Sequence, residues 1–281
     1  MHYDFSLVIV SIIITILACY FTVSFEQLLF RGLGQKYEKM LLIISGLTLG
    51  AAIWCMHFTG MLACHLPVDY SLDYGLTFVS YLIAFIASTF AIWLTTRETL
   101  PFGRLVLGAV LMGMGIAGMH YTGLMALVLN QHQIYYDPLL TIFSVLLAIA
   151  GSGLTFWLIF KYKNAVQKKL LIKISLVGMM ALTIVAIHYV GMGAIVFHAI
   201  AADRMVTHYQ TGQGLILLSV ILVTSLIFLA AFCVAILEQR LEVRNIQLSK
   251  ANRELANQAV QDNLTKLPNR LFLAEYSHFL F

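Results

Sequence analysis

The chain has 281 residues, of which 60% are hydrophobic and only 11% are charged, and its mean hydropathy is +0.89. These proportions leave too few charges to cover a water-facing surface, so they exclude a soluble globular protein and indicate a polytopic membrane protein. The formal net charge of +4 gives no argument for nucleic-acid binding, because the basic residues lie where membrane topology places them.

Seven apolar runs are each long enough to cross a bilayer, which takes about 20 residues of helix. Scarce proline and moderately frequent glycine suit closely packed helices better than the strands of an outer-membrane barrel. The predicted fold class is therefore an all-α membrane protein with seven transmembrane helices. The runs lie at about 5–27, 41–64, 75–96, 104–128, 138–160, 170–197 and 214–237.

Basic residues gather on one side of the predicted helices, and Arg204 is alone on the other. By the positive-inside rule the basic side is cytoplasmic, which places the N-terminus outside and the C-terminus inside. The basic side carries Arg31, Lys36, Lys39, Arg97, Arg104, Lys161, Lys163, Lys168, Lys169 and Lys173.

An internal repeat underlies this layout. Tyr-Asp opens the first helix at Tyr3 and the fifth at Tyr136, and a serine recurs at similar depth in helices one, three and five, as Ser11, Ser80 and Ser144. Each odd helix runs inward and each even helix runs outward. The predicted unit is a two-helix hairpin that is used three times and closed by a seventh helix.

Each even helix carries nearly the same sequence motif: CMHFTGM at 55–61, GMHYTG at 118–123 and AIHYVGM at 186–192. In each copy an aromatic residue follows the histidine, and a glycine comes three positions after it. The histidines lie seventeen to nineteen residues into their helices. At about 1.5 Å per residue they reach a similar depth in the outer leaflet, so the spacing predicts one shared site.

An ionisable side chain within a membrane helix is costly and indicates a function. Imidazole, thiolate and thioether together favour soft or borderline metals, copper above all and zinc second. We find no catalytic set. The candidate metal ligands are His57, His120, His188, Met56, Met119, Met61, Met192, Cys55 and His65.

Other interpretations of the histidines stay open. A single histidine in a membrane helix is often a hydrogen-bonded packing residue, and three could simply hold the bundle together. Paired histidines within a membrane can also bind haem axially, as in a redox protein. A metal transporter would carry ionisable groups through the inner leaflet as well, where the sequence offers only Glu26.

Residues 238–261 form a charged, helix-favouring stretch in which Leu241, Leu248 and Leu255 are one heptad apart. This spacing favours a short parallel coiled coil, and hence a homodimer, with asparagine at two of the facing positions. A solvated linker helix is the alternative.

With three copies of this motif among seven predicted helices, the chain resembles the MHYT family of bacterial integral membrane sensor domains. The resemblance covers residues 1–237. It implies a copper or other metal site in the bacterial inner membrane that senses a diatomic gas or a redox signal. The family pattern carries over to Met56 and His57, Met119 and His120, and His188. The third copy departs from it, since Ile187 replaces methionine and Val190 replaces threonine, which leaves Met192 as its thioether.

The segment DNLTKLPNR at 262–270 resembles the opening of a diguanylate cyclase (GGDEF) domain, which makes cyclic di-GMP from two GTP. The resemblance places Asp262 near the metal site of that domain and Asn269 against guanine. Residues 262–281 end before the GGDEF signature, so they are expected to be a truncated fragment without catalysis. The predicted domains are thus 1–237, 238–261 and 262–281.

Overall fold

A computed structural model of the chain describes residues 2–29, 35–65, 70–97, 99–129, 132–166, 169–199 and 213–260. The apolar runs form helices, as predicted, except that the ends of the second, fourth and sixth runs, at 64, 127–128 and 195–197, lie in strands. These strands belong to three short antiparallel pairs that the sequence did not reveal. The helices are α1 Phe5–Leu29, α2 Gln35–Ala63, α3 Tyr74–Thr95, α4 Phe102–Met125, α5 Pro138–Val166, α6 Leu170–Gly193 and α7 Gln213–Val260. The strands are β1 His2–Tyr3, β2 Cys64–His65, β3 Tyr70–Leu72, β4 Leu127–Leu129, β5 His132–Tyr136 and β6 Ile195–Ala199.

Helices α1 to α6 each carry an apolar stretch of 22 to 26 residues, long enough to cross a bilayer. Large apolar side chains such as Phe78 and Phe143 are exposed on their outer faces, as expected where lipid replaces water as the solvent. The chain is therefore a multi-pass, all-α membrane protein. Among the described residues six helices meet this measure, and a seventh crossing by α7 stays a prediction.

Three hairpins repeat along the chain, which confirms the predicted repeat. In each one the strand before the odd helix pairs with the strand after the even helix: β1 with β2, β3 with β4, and β5 with β6. An aspartate starts each odd helix, and its backbone N–H donates to the carbonyl of an alanine that ends the even helix, at 2.8 Å each time. These pairs are Asp4 with Ala63, Asp73 with Ala126, and Asp137 with Ala194.

The same aspartates cap the helices that they start. The Oδ1 atom of each one accepts a backbone N–H of the first turn, from Ser6 at 2.8 Å, Leu76 at 2.9 Å and Leu140 at 2.9 Å. A capping side chain satisfies a donor that has no partner inside the helix. We refer to the end of the bundle that holds these caps and the six strands as the strand end.

The six helices form a closed ring, because each packs against the next in the chain and α6 packs against α1. The even helices α2, α4 and α6 also contact one another pairwise. They therefore line the axis of the ring, and the three histidine motifs lie on these axial helices.

The recurring serines join neighbouring hairpins. Ser11, Ser80 and Ser144 are buried, and each hydroxyl donates to a backbone carbonyl three residues earlier. Each oxygen then accepts a hydrogen bond from an aromatic side chain of an even helix in a different hairpin. The pairs are Tyr189 with Ser11 at 3.3 Å, Trp54 with Ser80 at 3.2 Å, and Tyr121 with Ser144 at 2.7 Å.

The chain divides into two compact units, Met1–Leu229 and Ala230–Phe281. In the first unit, Val223 of α7 packs against small residues of α1 and α2, namely Ala18, Ala51 and Ala52. In the second, α7 continues as helix through the predicted linker as far as Val260. The predicted cyclase fragment, 262–281, lies outside the described residues.

We expect Tyr121→Phe to destabilise the bundle by about 0.6 kcal/mol, the average for an interhelical hydrogen bond in a membrane protein. The variant loses the 2.7 Å bond to Ser144 and leaves the ring in place. Thermal unfolding in detergent measures the change. Tyr74→Phe is the control, because that side chain is 61% exposed; equal effects from the two variants would contradict the proposed role of the bond.

Candidate metal centre

The three histidines predicted to share a site converge on the axis of the ring. His57 of α2, His120 of α4 and His188 of α6 are at most 3% exposed. The Nδ1 atom of His57 lies 3.0 Å from Nδ1 of His120 and 3.2 Å from Nδ1 of His188. They form a cluster that could hold a metal ion, with candidate ligand atoms within 4.8 Å of one another.

Hydrogen bonds between neutral rings cannot account for both of the short contacts that Nδ1 of His57 makes. A ring nitrogen carries either one proton or one in-plane lone pair, so it makes a single strong hydrogen bond. Nδ1 of His57 has two ring nitrogens within reach, and at most one of these contacts is a full hydrogen bond between neutral rings. A cation bound to all three nitrogens would satisfy every lone pair at once.

The spacing also suits a metal ion. Bonds of about 2.0–2.1 Å to a tetrahedral metal place two nitrogen ligands about 3.3 Å apart. The observed separations of 3.0 and 3.2 Å are close to that value. The residues present therefore fit a metal held by three neutral imidazoles.

Glycines make this convergence sterically feasible, and they do so in a cycle. A Cβ atom added at Gly60 would overlap Nε2 of His188, one at Gly123 would overlap Nε2 of His57, and one at Gly191 would overlap Nε2 of His120. Each histidine therefore fills the space beside the glycine of another hairpin. The sequence predicted close helix approach at these glycines, and the structure shows that histidine rings occupy the space.

Packing against aromatic side chains contributes to holding the three imidazole rings in place. The three Nε2 atoms are buried without a hydrogen bond of full geometry to the described residues. Each ring instead meets the aromatic ring that follows it in sequence, edge to face, with centroids 4.9 to 5.0 Å apart. These aromatic residues are Phe58, Tyr121 and Tyr189, which explains the recurrence of an aromatic residue after each histidine.

A cavity of about 10 Å³ adjoins the histidines. A single water molecule requires about 10–15 Å³, so the cavity has room for one ion or water and not for a haem. Methionine one position before the histidine lines it in two copies, as Met56 and Met119, with Ile187 in the third. Its floor is a layer of isoleucines four residues before each histidine: Ile53, Ile116 and Ile184.

Three other predicted ligands are described by the structure and do not line this cavity. Met61 and Met192 follow their histidines by four residues, so they lie one turn nearer the strand end, and both are buried. Cys55 is also buried. None of these three lines the cavity described above. The side chain of His65 lies outside the described residues, and its role stays a prediction.

The spacing of Cys64 from His57 predicts that both lie on one face of a helix. The structure places Cys64 in β2, outside the membrane-spanning segments. Burial raises the pKa of its thiol, despite a hydrogen bond with Tyr3 that lowers it. Since metals bind the thiolate, this burial weakens Cys64 as a metal ligand.

Two stretches of the chain, 50–108 and 113–171, match the MHYT family, described as the bacterial signalling protein N terminal repeat. They contain His57 and His120 with their complete motifs. The chain belongs to the MHYT family. Its third copy, with His188, lies outside the matched stretches, in keeping with Ile187 and Val190 in place of the methionine and threonine of the other copies.

Curated relatives share this membrane portion. The chain is 40% identical over 280 residues to the bifunctional diguanylate cyclase/cyclic di-GMP phosphodiesterase MucR of Pseudomonas aeruginosa, covering 96% of this chain and 40% of that protein. It is 31% identical over 289 residues to the cyclic di-GMP phosphodiesterase NbdA of the same organism, and the match covers 95% of this chain and 35% of that protein. The Bacillus subtilis signaling protein YkoW is 31% identical over 199 residues, 70% of this chain and 24% of that protein. The chain thus spans 40% or less of these relatives, and no solved structure matches it.

We expect Gly191→Ala to displace His120 and to cost about 1–3 kcal/mol, as overpacking of a well-packed core does. Gly193→Ala is the matched control on the same helix, because an added Cβ there meets nothing within 4 Å. Thermal unfolding in detergent compares the two variants with wild type. Equal stability of the two would contradict the tight seating of His120 against Gly191.

Proposed function

We propose that this chain is the signalling input module of a protein that controls cyclic di-GMP, and that it binds copper in the outer leaflet of the bacterial inner membrane. The ligands are His57, His120 and His188, with Met56 and Met119 beside them. The observation that supports this proposal best is the convergence of three Nδ1 atoms on the axis of the bundle.

Copper is the proposed metal because of the ligand chemistry. Imidazole and thioether are the donors that Cu(I) accepts, and zinc is the second choice. The described residues that line the cavity include no carboxylate, so they do not neutralise the charge of a bound ion. A monovalent ion therefore costs less to hold in the bilayer than a divalent one. The small cavity argues against the haem alternative.

The signal in this proposal is a diatomic gas or a change in the oxidation state of the metal. Either event changes the preferred ligand geometry, and the three ligands belong to three axial helices. Because each imidazole packs against a glycine of another hairpin, a shift of one ring is transmitted to the neighbouring helix. The basic residues at the end opposite the strands support a cytoplasmic C-terminus, where α7 leads toward a cyclic di-GMP enzyme domain.

The proposed output rests on two observations. Two relatives that match 96% and 95% of this chain are named as cyclic di-GMP enzymes, and residues 262–270 resemble the start of a GGDEF domain. The membrane portion would act through that domain.

We expect the detergent-purified wild-type chain to hold about one copper ion per chain after supplementation. A His57→Ala, His120→Ala, His188→Ala variant that still folds should hold none, because all three imidazole ligands are gone. Elemental analysis and a visible spectrum make the measurement. A Soret band would assign the site to haem instead.

Two further variants separate specific from adventitious binding. His65→Ala tests the remaining predicted histidine ligand, and we expect copper to be retained in it. Met56→Leu with Met119→Leu should weaken copper retention, whereas Met114→Leu should not, because Met114 is 52% exposed on the outer face of α4. Equal copper content in wild type and the triple histidine variant would refute the proposal.

We also propose that α7 pairs with a second copy of this chain through 238–261. Leu248 and Leu255 are 61% and 62% exposed, and exposed leucines one heptad apart are typical of an unpaired coiled-coil seam. The alternative is a solvated linker helix.

In a Cys233→Ser background we expect Leu248→Cys to form a disulfide-linked dimer on mild oxidation in membranes. Lys250→Cys should form much less, because it lies on the opposite side of the predicted seam. Non-reducing gel electrophoresis measures the dimer fraction. Similar yields at both positions would favour the solvated helix.

A further inference from the structure

A second cavity, of about 30 Å³, lies between the histidine centre and the end of the bundle opposite the strands. It begins on the far side of the isoleucine layer, since Ile116 and Ile184 line both this cavity and the one at the histidines. The second cavity also borders Glu26 of α1, together with Ser152 and Thr155 of α5. Among the described residues that line it, Glu26 is the only acidic one.

Glu26 is only 3% exposed and lies within a membrane-spanning stretch. Its carboxyl accepts one long hydrogen bond, from Thr95 Oγ1 at 3.5 Å, and no ion pair joins it to any residue that the structure describes. An isolated buried carboxylate is so costly that such a group neutralises instead. Glu26 therefore favours its protonated form.

Lys173 enters the same half of the bundle without pairing with Glu26. The sequence placed it in a cytoplasmic connection, but it belongs to α6 and is only 8% exposed. Its ammonium donates to Ser24 Oγ at 2.7 Å and to Gln27 Oε1 at 3.5 Å, and it lies 4.1 Å from the ring centroid of Tyr20. The lysine charge is thus stabilised by neutral partners.

The cavity offers unused hydrogen-bonding groups. Ser152 Oγ and Thr155 Oγ1 are buried and have no hydrogen-bond partner among the described residues. A volume of about 30 Å³ holds about two water molecules. Water there would bridge these hydroxyls and the Glu26 carboxyl, as buried water commonly does.

The lining favours a proton over a bound metal cation. Apart from Glu26 and the hydroxyls of Ser152, Thr155 and Thr183, the lining residues that the structure describes are apolar. Hard cations prefer six or more oxygen ligands, which this cavity does not supply. Two titratable groups lie near Glu26 among the described residues, the thiol of Cys19 on its own helix and the ammonium of Lys173 on α6. The described residues that α2, α4 and α5 contribute to the cavity have only apolar or hydroxyl side chains.

We propose that Glu26 is a proton-binding site that supplies the counter-charge for the histidine centre. When a monovalent cation binds the three neutral imidazoles, the Glu26 O–H bond breaks, its electron pair stays on the carboxylate, and the proton leaves through the cavity water toward the end opposite the strands. The charge inside the bundle then stays constant, because one cation enters and one proton leaves. The coupling rests on the proposed metal site, whereas the protonated state of Glu26 does not.

Infrared spectroscopy of the full chain in detergent tests the protonated state. We expect a protonated-carboxyl band at neutral pH that shifts in D₂O, disappears in Glu26→Gln and persists in Glu254→Gln, whose side chain is exposed. Ser152→Ala with Thr155→Val should shift the band without abolishing it. Absence of the band in wild type would overturn the proton site.

Silver(I), a redox-inert monovalent ion that also binds imidazole and thioether, tests the coupling. In weakly buffered detergent, wild type should release about one proton per bound ion and lose the Glu26 band, and Glu26→Gln should bind silver with almost no release. If silver binds and the band is unchanged, the counter-charge proposal is wrong and the metal site stands. If silver does not bind and the band remains, the metal proposal fails and the proton site stands.

Discussion

The structure depends on the close approach of three imidazole rings on one axis. Rings whose nitrogens lie 3.0 to 3.2 Å apart must be brought in by helices that meet without intervening side chains. Gly60, Gly123 and Gly191 meet this requirement, each for a histidine of another hairpin. The closed ring, the serine links between hairpins and the aspartate caps within them all hold the axial helices at that separation.

Polar groups within the bundle are arranged in layers along this axis. The histidines lie toward the strand end, an apolar layer that includes Ile116 and Ile184 follows, and Glu26 borders the cavity beyond it. This apolar layer separates the cavity at the histidines from the cavity at Glu26, so it keeps water from running continuously between them. The layer also lowers the effective dielectric between the two sites, so that a charge at one is felt at the other over a longer distance than in water.

Much of this organisation was predictable from the sequence. The apolar runs and the repeated histidine motif predicted the helices, the three hairpins and a shared site formed by histidines at a similar depth in their helices. The recurring serines were noticed, but not their partners: Phe58 has no hydroxyl, so Trp54, one turn earlier, replaces the missing tyrosine in that copy. Spacing could not show which ring nitrogen faces the axis, which glycine receives which ring, or that Lys173 is buried, because each depends on how separate helices pack.

The cyclic order of histidines and glycines also bears on biosynthesis. His57 packs beside Gly123, His120 beside Gly191, and His188 back beside Gly60, so two hairpins alone leave one ring without its neighbour and one glycine uncovered. The centre can close only after α6 has been made and inserted. Competence to bind a ligand at this centre would thus report that the membrane domain has been assembled completely.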